Sequence, residues 1–123
     1  MKTKRALSAF GALAQETRLE VFRQLIRLAP DAIAAGDLAY ELDVPPSTLS
    51  SHLAILQRAG LVRSERHARM IRYSADLAGA RGVVEFLLKD CCRGQPERCD
   101  QLLNAVLPDR CSRPRIADRE RGP

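Results

Sequence analysis

Apolar residues recur at helical spacing over most of the chain. Through residues 4–14, Leu7, Phe10, Leu13 and Ala14 fall three or four positions apart, which places them on one face of an α-helix. Beyond Gln15-Glu16, Thr17 stands where a cap is needed for a second helix. Leu19, Phe22, Leu25, Ile26 and Leu28 mark the buried face of that helix, and Pro30 ends it. Gly36-Asp37 opens a short third helix with Leu38, Ala39 and Leu42 apolar, and Val44-Pro45-Pro46 breaks it. A proline has no N–H to lose in a first turn, so Pro46 suits the start of a fourth helix. That helix is predicted over 47–59, with Leu49, Leu53, Ile55 and Leu56 inward and Gly60 as its stop.

The period then changes. Residues 61–65 and 70–74 alternate in part and predict two strands, joined by a hairpin tip at Arg66-His67-Ala68-Arg69. Asp76 opens a last long helix through Val83, Val84, Phe86, Leu87 and Leu88 to about Asp90, and Gly94 and Pro96 break the chain beyond it. Leu102, Leu103, Val106 and Leu107 predict one more short helix. From Pro108 the chain turns to Arg, Asp, Pro and Gly with almost nothing apolar, the signature of a disordered basic tail. The expected organisation is one mainly α domain over 1–107 with a small β-hairpin, and then the tail over 108–123.

Composition sharpens this. The chain has 123 residues, room for one ordinary domain. Lys and Arg total 20 against 15 Asp and Glu, an excess that favours a polyanionic partner. No stretch resembles a secretory leader or a membrane span, so a cytoplasmic protein without a membrane partner is expected. In a reducing cytosol the 4 cysteines read as ligands or sensors rather than disulfides.

The order short helix, sharp turn, second helix and basic hairpin is that of a winged helix-turn-helix, in which the second helix enters the major groove. Ser47, Thr48, Ser50, Ser51, His52 and Gln57 are short or hydrogen-bonding groups suited to phosphates and base edges. Arg66, Arg69 and Arg72, with Arg63, face one acid, Glu65, in the hairpin, a surplus of cations fit to grip phosphate. Each signal alone also describes a solvated helix face or a soluble edge strand. Their order in one segment is what favours double-stranded DNA.

Two segments resemble the arsenic-repressor (ArsR/SmtB) family of metal-responsive transcriptional regulators. They are Leu13-Ala14-Gln15-Glu16-Thr17-Arg18-Leu19-Glu20 and the run from Ser47 to Val62, with its Ser51-His52-Leu53 and Ala59-Gly60-Leu61-Val62. The resemblance covers about residues 5–90. It implies a homodimer built by the first and last long helices, an inverted-repeat operator, and release of DNA when inducer binds. Pro46 departs from the family, which often has a polar residue there.

The inducer site has to come from this chain's own ligands. Residues 34–40 hold no Cys or His, and no His comes after Asp76, so two sites common in the family lack their ligands. Cys91, Cys92 and Cys99 remain, with Cys111 further out. Gly94 and Pro96 end the helix after the vicinal pair, and the six residues between Cys92 and Cys99 can bring back a third sulfur. Three thiolates suit trivalent arsenic or antimony, whereas zinc prefers four ligands. Zinc or cadmium stays open if Cys111 joins, and so does a repressor that responds to thiol oxidation. No permanent cofactor is expected. Cys92 and Arg98 share the spacing of a phosphatase loop, but the cysteine follows a helix rather than a strand and Pro96 removes one of the donor N–H groups. The expectation is a regulator of arsenical resistance and not an enzyme.

Overall fold

The structure, a computed structural model, describes residues 1–89 and 101. Its elements are α1 (Thr3–Leu13), α2 (Glu16–Leu28), β1 (Ile33–Ala34), α3 (Ala35–Leu42), α4 (Pro46–Arg58), β2 (Val62–His67), β3 (Met70–Ala75) and α5 (Leu77–Leu88). Residues Met1–Phe86 form one compact unit. The helix expected over 102–107, the tail over 108–123, and Cys91, Cys92, Cys99 and Cys111 lie outside the described residues.

Helix α4 sits at the centre. Leu49, Leu53 and Leu56 are each at most 1% exposed, and Val21, Leu25, Leu38 and Leu61 close around them. Full burial of one leucine contributes about 1.5–3 kcal/mol, so three on one stripe fix how deeply this helix sits. Pro46 takes the first helical position, as its locked φ favours. Gly60 leaves the helix at φ +82°, a left-handed conformation that glycine adopts without a Cβ penalty.

Helices α1 and α2 depart from the expected faces. On α1 the buried residues are Ala6, Ala9 and Ala12, while Leu7 is 64% exposed. On α2 they are Val21 and Leu25, with Leu19 and Ile26 exposed. Alanines allow α1 to lie close to its neighbours, and the larger residues are left on the outside. The cap of α2 is Gln15 rather than Thr17: its side chain accepts from the Arg18 N–H at 2.8 Å.

The sheet holds three strands in the order β1-β3-β2, all antiparallel. The two-residue β1, which sequence periodicity is too short to show, pairs Ile33 with Tyr73 and Ala34 with Arg72. The hairpin tip is tighter than expected. Arg66 and His67 are strand residues opposite Ile71 and Met70, and the turn is Ala68-Arg69, with Ala68 at φ 58°.

Asp76 caps α5 by accepting from the Gly79 N–H at 3.0 Å, and its own N–H donates to the Leu61 carbonyl at 2.9 Å. A Cβ added at Gly79 would collide with the Gly60 carbonyl oxygen. Glycine at 79 thus lets α5 seat against the exit of α4. Among the described residues, no helix is long and apolar enough to cross a membrane. Gly79→Ala is expected to lower stability by about 1–3 kcal/mol, the usual range for overpacking. Gly11→Ala, where an added Cβ meets nothing within 4 Å, should raise it by about 0.5–1 kcal/mol. Urea unfolding of both variants checks this, and equal stabilities would mean that α5 is not seated on Gly60.

Candidate nucleic-acid interface

The leucine stripe of α4 faces inward, so the remaining turn of the helix is presented outward. Ser47, Thr48, Ser50 and Ser51 are all exposed at its N-terminal half. No side chain caps α4 among the described residues. The N–H groups of Ser47 and Thr48 precede the first intrahelical bond, from the Leu49 N–H to the Pro45 carbonyl, so both remain available at the helix head. The Ser51 hydroxyl donates back to the Ser47 carbonyl at 3.4 Å. This half-turn offers small donors and acceptors with no bulky group in front of them, as close approach to base edges requires.

Strand alternation divides the wing into two faces. Val62, Ser64 and Arg66 share the face turned to α4, since Val62 is buried in the core and Ser64 accepts from the Gln57 side-chain amide at 3.0 Å. Arg63, Glu65 and His67 lie on the other face, together with Arg72, the register partner of Glu65. An open groove of about 450 Å³ runs between the start of α3 and the wing, lined by Ala34, Gly36 and Asp37 on one side and Arg69, Ile71 and Tyr73 on the other, with Ser50 as its residue from α4. Ser50 of the helix head and Arg69 of the wing tip thus share one groove, together with the acid Asp37.

The residues expected to meet DNA fall into two groups. Ser47, Thr48, Ser50, Ser51, Arg66 and Arg69 are all exposed, and of these Ser50 and Arg69 line the groove. The other three are engaged within the chain. Gln57, at the C-terminal end of α4, bonds Ser64. Arg72 donates to the Ala32 carbonyl at 3.0 Å and so ties β3 to the entry of β1. His52 is half-buried, with Nδ1 lying 3.5 Å from Arg18 Nη1. On the outer wing face His67 Nε2 approaches Glu65 Oε1 at 3.5 Å, both largely exposed. Among the described residues no cluster of His, Cys, Asp and Glu could hold a metal ion. The expected thiolate site, Cys91, Cys92 and Cys99, lies outside them.

Arg18 had no assigned role in the sequence, although it stands within the Gln15-Glu16-Thr17-Arg18-Leu19 segment. The readable signal was a cation at the very start of a helix, where the dipole disfavours it. Such a residue needs an acceptor elsewhere.

Comparison with known proteins agrees with this geometry. Residues 13–65 match a family model described as a helix-turn-helix domain. The chain is 30% identical to the transcriptional activator HlyU of Vibrio cholerae over 89 residues, which cover 72% of this chain and 80% of that protein. A structure of reduced HlyU from that organism superposes with a TM-score of 0.56, covering 73% of this chain and 92% of that one. An ArsR-like transcriptional regulator from Rhodococcus sp. RHA1 gives a TM-score of 0.63 at 30% identity, over 85% of this chain and 92% of the other. The winged helix-turn-helix domain Mb0332 of Mycobacterium bovis, described as homodimeric, shares the fold at 22% identity, with a TM-score of 0.58 over 71% of this chain and 81% of that one.

Each phosphate contact contributes about 0.9 to the slope of log affinity against log salt. Arg66→Ala and Arg69→Ala are each expected to flatten that slope by about 0.9, and Arg72→Ala by clearly less, because its guanidinium is held at Ala32. Fluorescence anisotropy with the chain's own upstream DNA, across a salt series, checks the order. Slopes unchanged in the first two variants would place the wing away from DNA.

Proposed function

Because this chain belongs to the ArsR family of winged helix-turn-helix transcriptional regulators, we propose that it is a homodimeric repressor that releases its operator on binding trivalent arsenic or antimony. The observation that carries the DNA half is the exposed Ser47–Ser51 face of α4, with Ser50 lining one groove with Arg69 of the wing. In this reading α4 enters the major groove of one operator half-site, the wing holds the adjoining backbone, and the second subunit repeats both contacts across an inverted repeat.

The dimer is supported by what α1 and α5 leave uncovered. Leu7 on α1 and Leu77 and Val84 on α5 are 64%, 50% and 45% exposed. Large apolar groups kept on helices outside the core are the material of a subunit interface. The Mycobacterium bovis domain of the same fold is described as homodimeric.

The inducer half rests on ligand chemistry in the sequence. Three cysteines within nine positions, Cys91, Cys92 and Cys99, supply soft thiolates in the number that arsenic(III) or antimony(III) takes. Zinc or cadmium would call on Cys111 as a fourth. A second reading, thiol oxidation as the signal, gains support from the relative HlyU, which has a structure described as reduced. That relative is named an activator, so the sign of regulation is part of the proposal.

Cys91→Ser, Cys92→Ser and Cys99→Ser are each expected to keep DNA affinity and lose release by arsenite. Release assays under reductant, with arsenite, antimonite, zinc, cadmium and peroxide in separate arms, check this. A full arsenite response in all three variants would move the site elsewhere, and release by peroxide alone would favour the redox reading.

A further inference from the structure

Three interactions meet on one residue at the corner between α1 and α2. The Arg18 backbone N–H donates to Gln15 Oε1 at 2.8 Å and closes the cap of α2. Its Nε donates to the Ala12 carbonyl at 2.6 Å. That oxygen belongs to the last turn of α1, where carbonyls have no partner in the helix and a cation is favoured. Its Nη1 then stands 3.5 Å from Nδ1 of His52, 34 residues further on in α4. Both side chains are half-buried. A guanidinium has donors only, so the contact is a hydrogen bond in the tautomer whose Nδ1 accepts and whose proton sits on Nε2.

The placement of His52 on α4 gives this contact a mechanical meaning. Leu49, Leu53 and Leu56 form the buried stripe of α4, and polar ties on its two flanks add to the apolar packing that orients the helix. His52 and Gln57 are five residues apart, about 140° around the axis, and they straddle that stripe. Gln57 ties one flank to Ser64 of the wing, and His52 ties the other to Arg18. A helix held on both flanks cannot roll without breaking one tie.

We propose that Arg18 is a positioning residue for DNA reading, latching the recognition helix to the α1–α2 corner through His52. This rests on the reading of α4 as the helix that meets DNA. The latch sets the angle at which Ser47, Thr48, Ser50 and Ser51 face the bases. Since Ala12 belongs to α1, the same guanidinium links the seat of that helix to the orientation of α4.

Two readouts on the full chain test it. Long-range 15N NMR of the free protein should show His52 as the Nε2–H tautomer, with the ring signals moving in Arg18→Ala. In DNA binding, Arg18→Ala and His52→Ala should each lower the ratio of operator to nonspecific affinity about tenfold, and the double variant no further, as expected for one coupled pair. Nonspecific affinity should stay unchanged. His52→Gln, whose Oε1 can accept from the guanidinium, should restore the ratio. An Nδ1–H tautomer, additive single effects, or failure of His52→Gln where His52→Ala is folded would each overturn the latch. Absence of operator binding by the unmodified chain would instead count against the DNA reading of α4, and the tautomer would still decide the contact.

Discussion

Burial of Leu49, Leu53 and Leu56 is the constraint on which the rest of the molecule is arranged. These three side chains commit one stripe of α4 to the core, and every other element of Met1–Phe86 is placed by what that stripe needs around it. Helices α1, α2 and α3 supply Ala9, Val21, Leu25 and Leu38, while the exit through Gly60 delivers Leu61 and Val62 to close the far end. A helix sunk this far by its apolar side has to present its polar side outward. The surface proposed to meet DNA is thus the complement of the surface that makes the core.

The polar contacts refine what the leucines begin. Gln57 and Ser64 join α4 to the wing, Arg72 joins the wing to the entry of β1, and Asp76 joins the wing's end to α5. Each is a modest interaction, about 0.5–1.5 kcal/mol for the neutral Gln57–Ser64 bond and somewhat more where Arg72 or Asp76 brings a charge. Their value lies in direction, which they add to the orientation set by apolar packing. Ser50 of the helix head and Arg69 of the wing line one groove, as the proposed reading of one duplex by helix and wing requires.

Much of this was legible in the sequence, and the misses have a common cause. Helices, hairpin, Pro46 start and Gly60 stop come from local rules: apolar period, the missing N–H of proline, the left-handed φ of glycine. Periodicity could not tell apolar residues that enter this chain's own core from those left outside it. Leu19 and Ile26 on α2 are exposed although they follow the helical period, and on α1 Ala6, Ala9 and Ala12 take the inward places while Leu7 stays outside. Thr17 read as a cap because its side chain is the usual type, whereas the bond is made by Gln15, two residues earlier. For Gln57, His52 and Arg72, expected at the DNA from their residue types, the sequence could not show the partners they have within the chain. Their partners Ser64, Arg18 and Ala32 are set by tertiary packing, and for His52 and Arg72 they lie 34 and 40 residues away in sequence.

The central claim is that the head of α4 and the tip of the wing form one surface that holds DNA. Amide chemical-shift mapping during titration with a duplex from the chain's own upstream region tests it most directly. The expected result is a set of perturbations concentrated at Ser47, Thr48, Ser50 and Ser51 and at Arg66 and Arg69, with residues on the outer wing face such as Glu65 and His67 moving little. Perturbations centred on α2 or on the outer wing face, with the head of α4 unmoved, would contradict it.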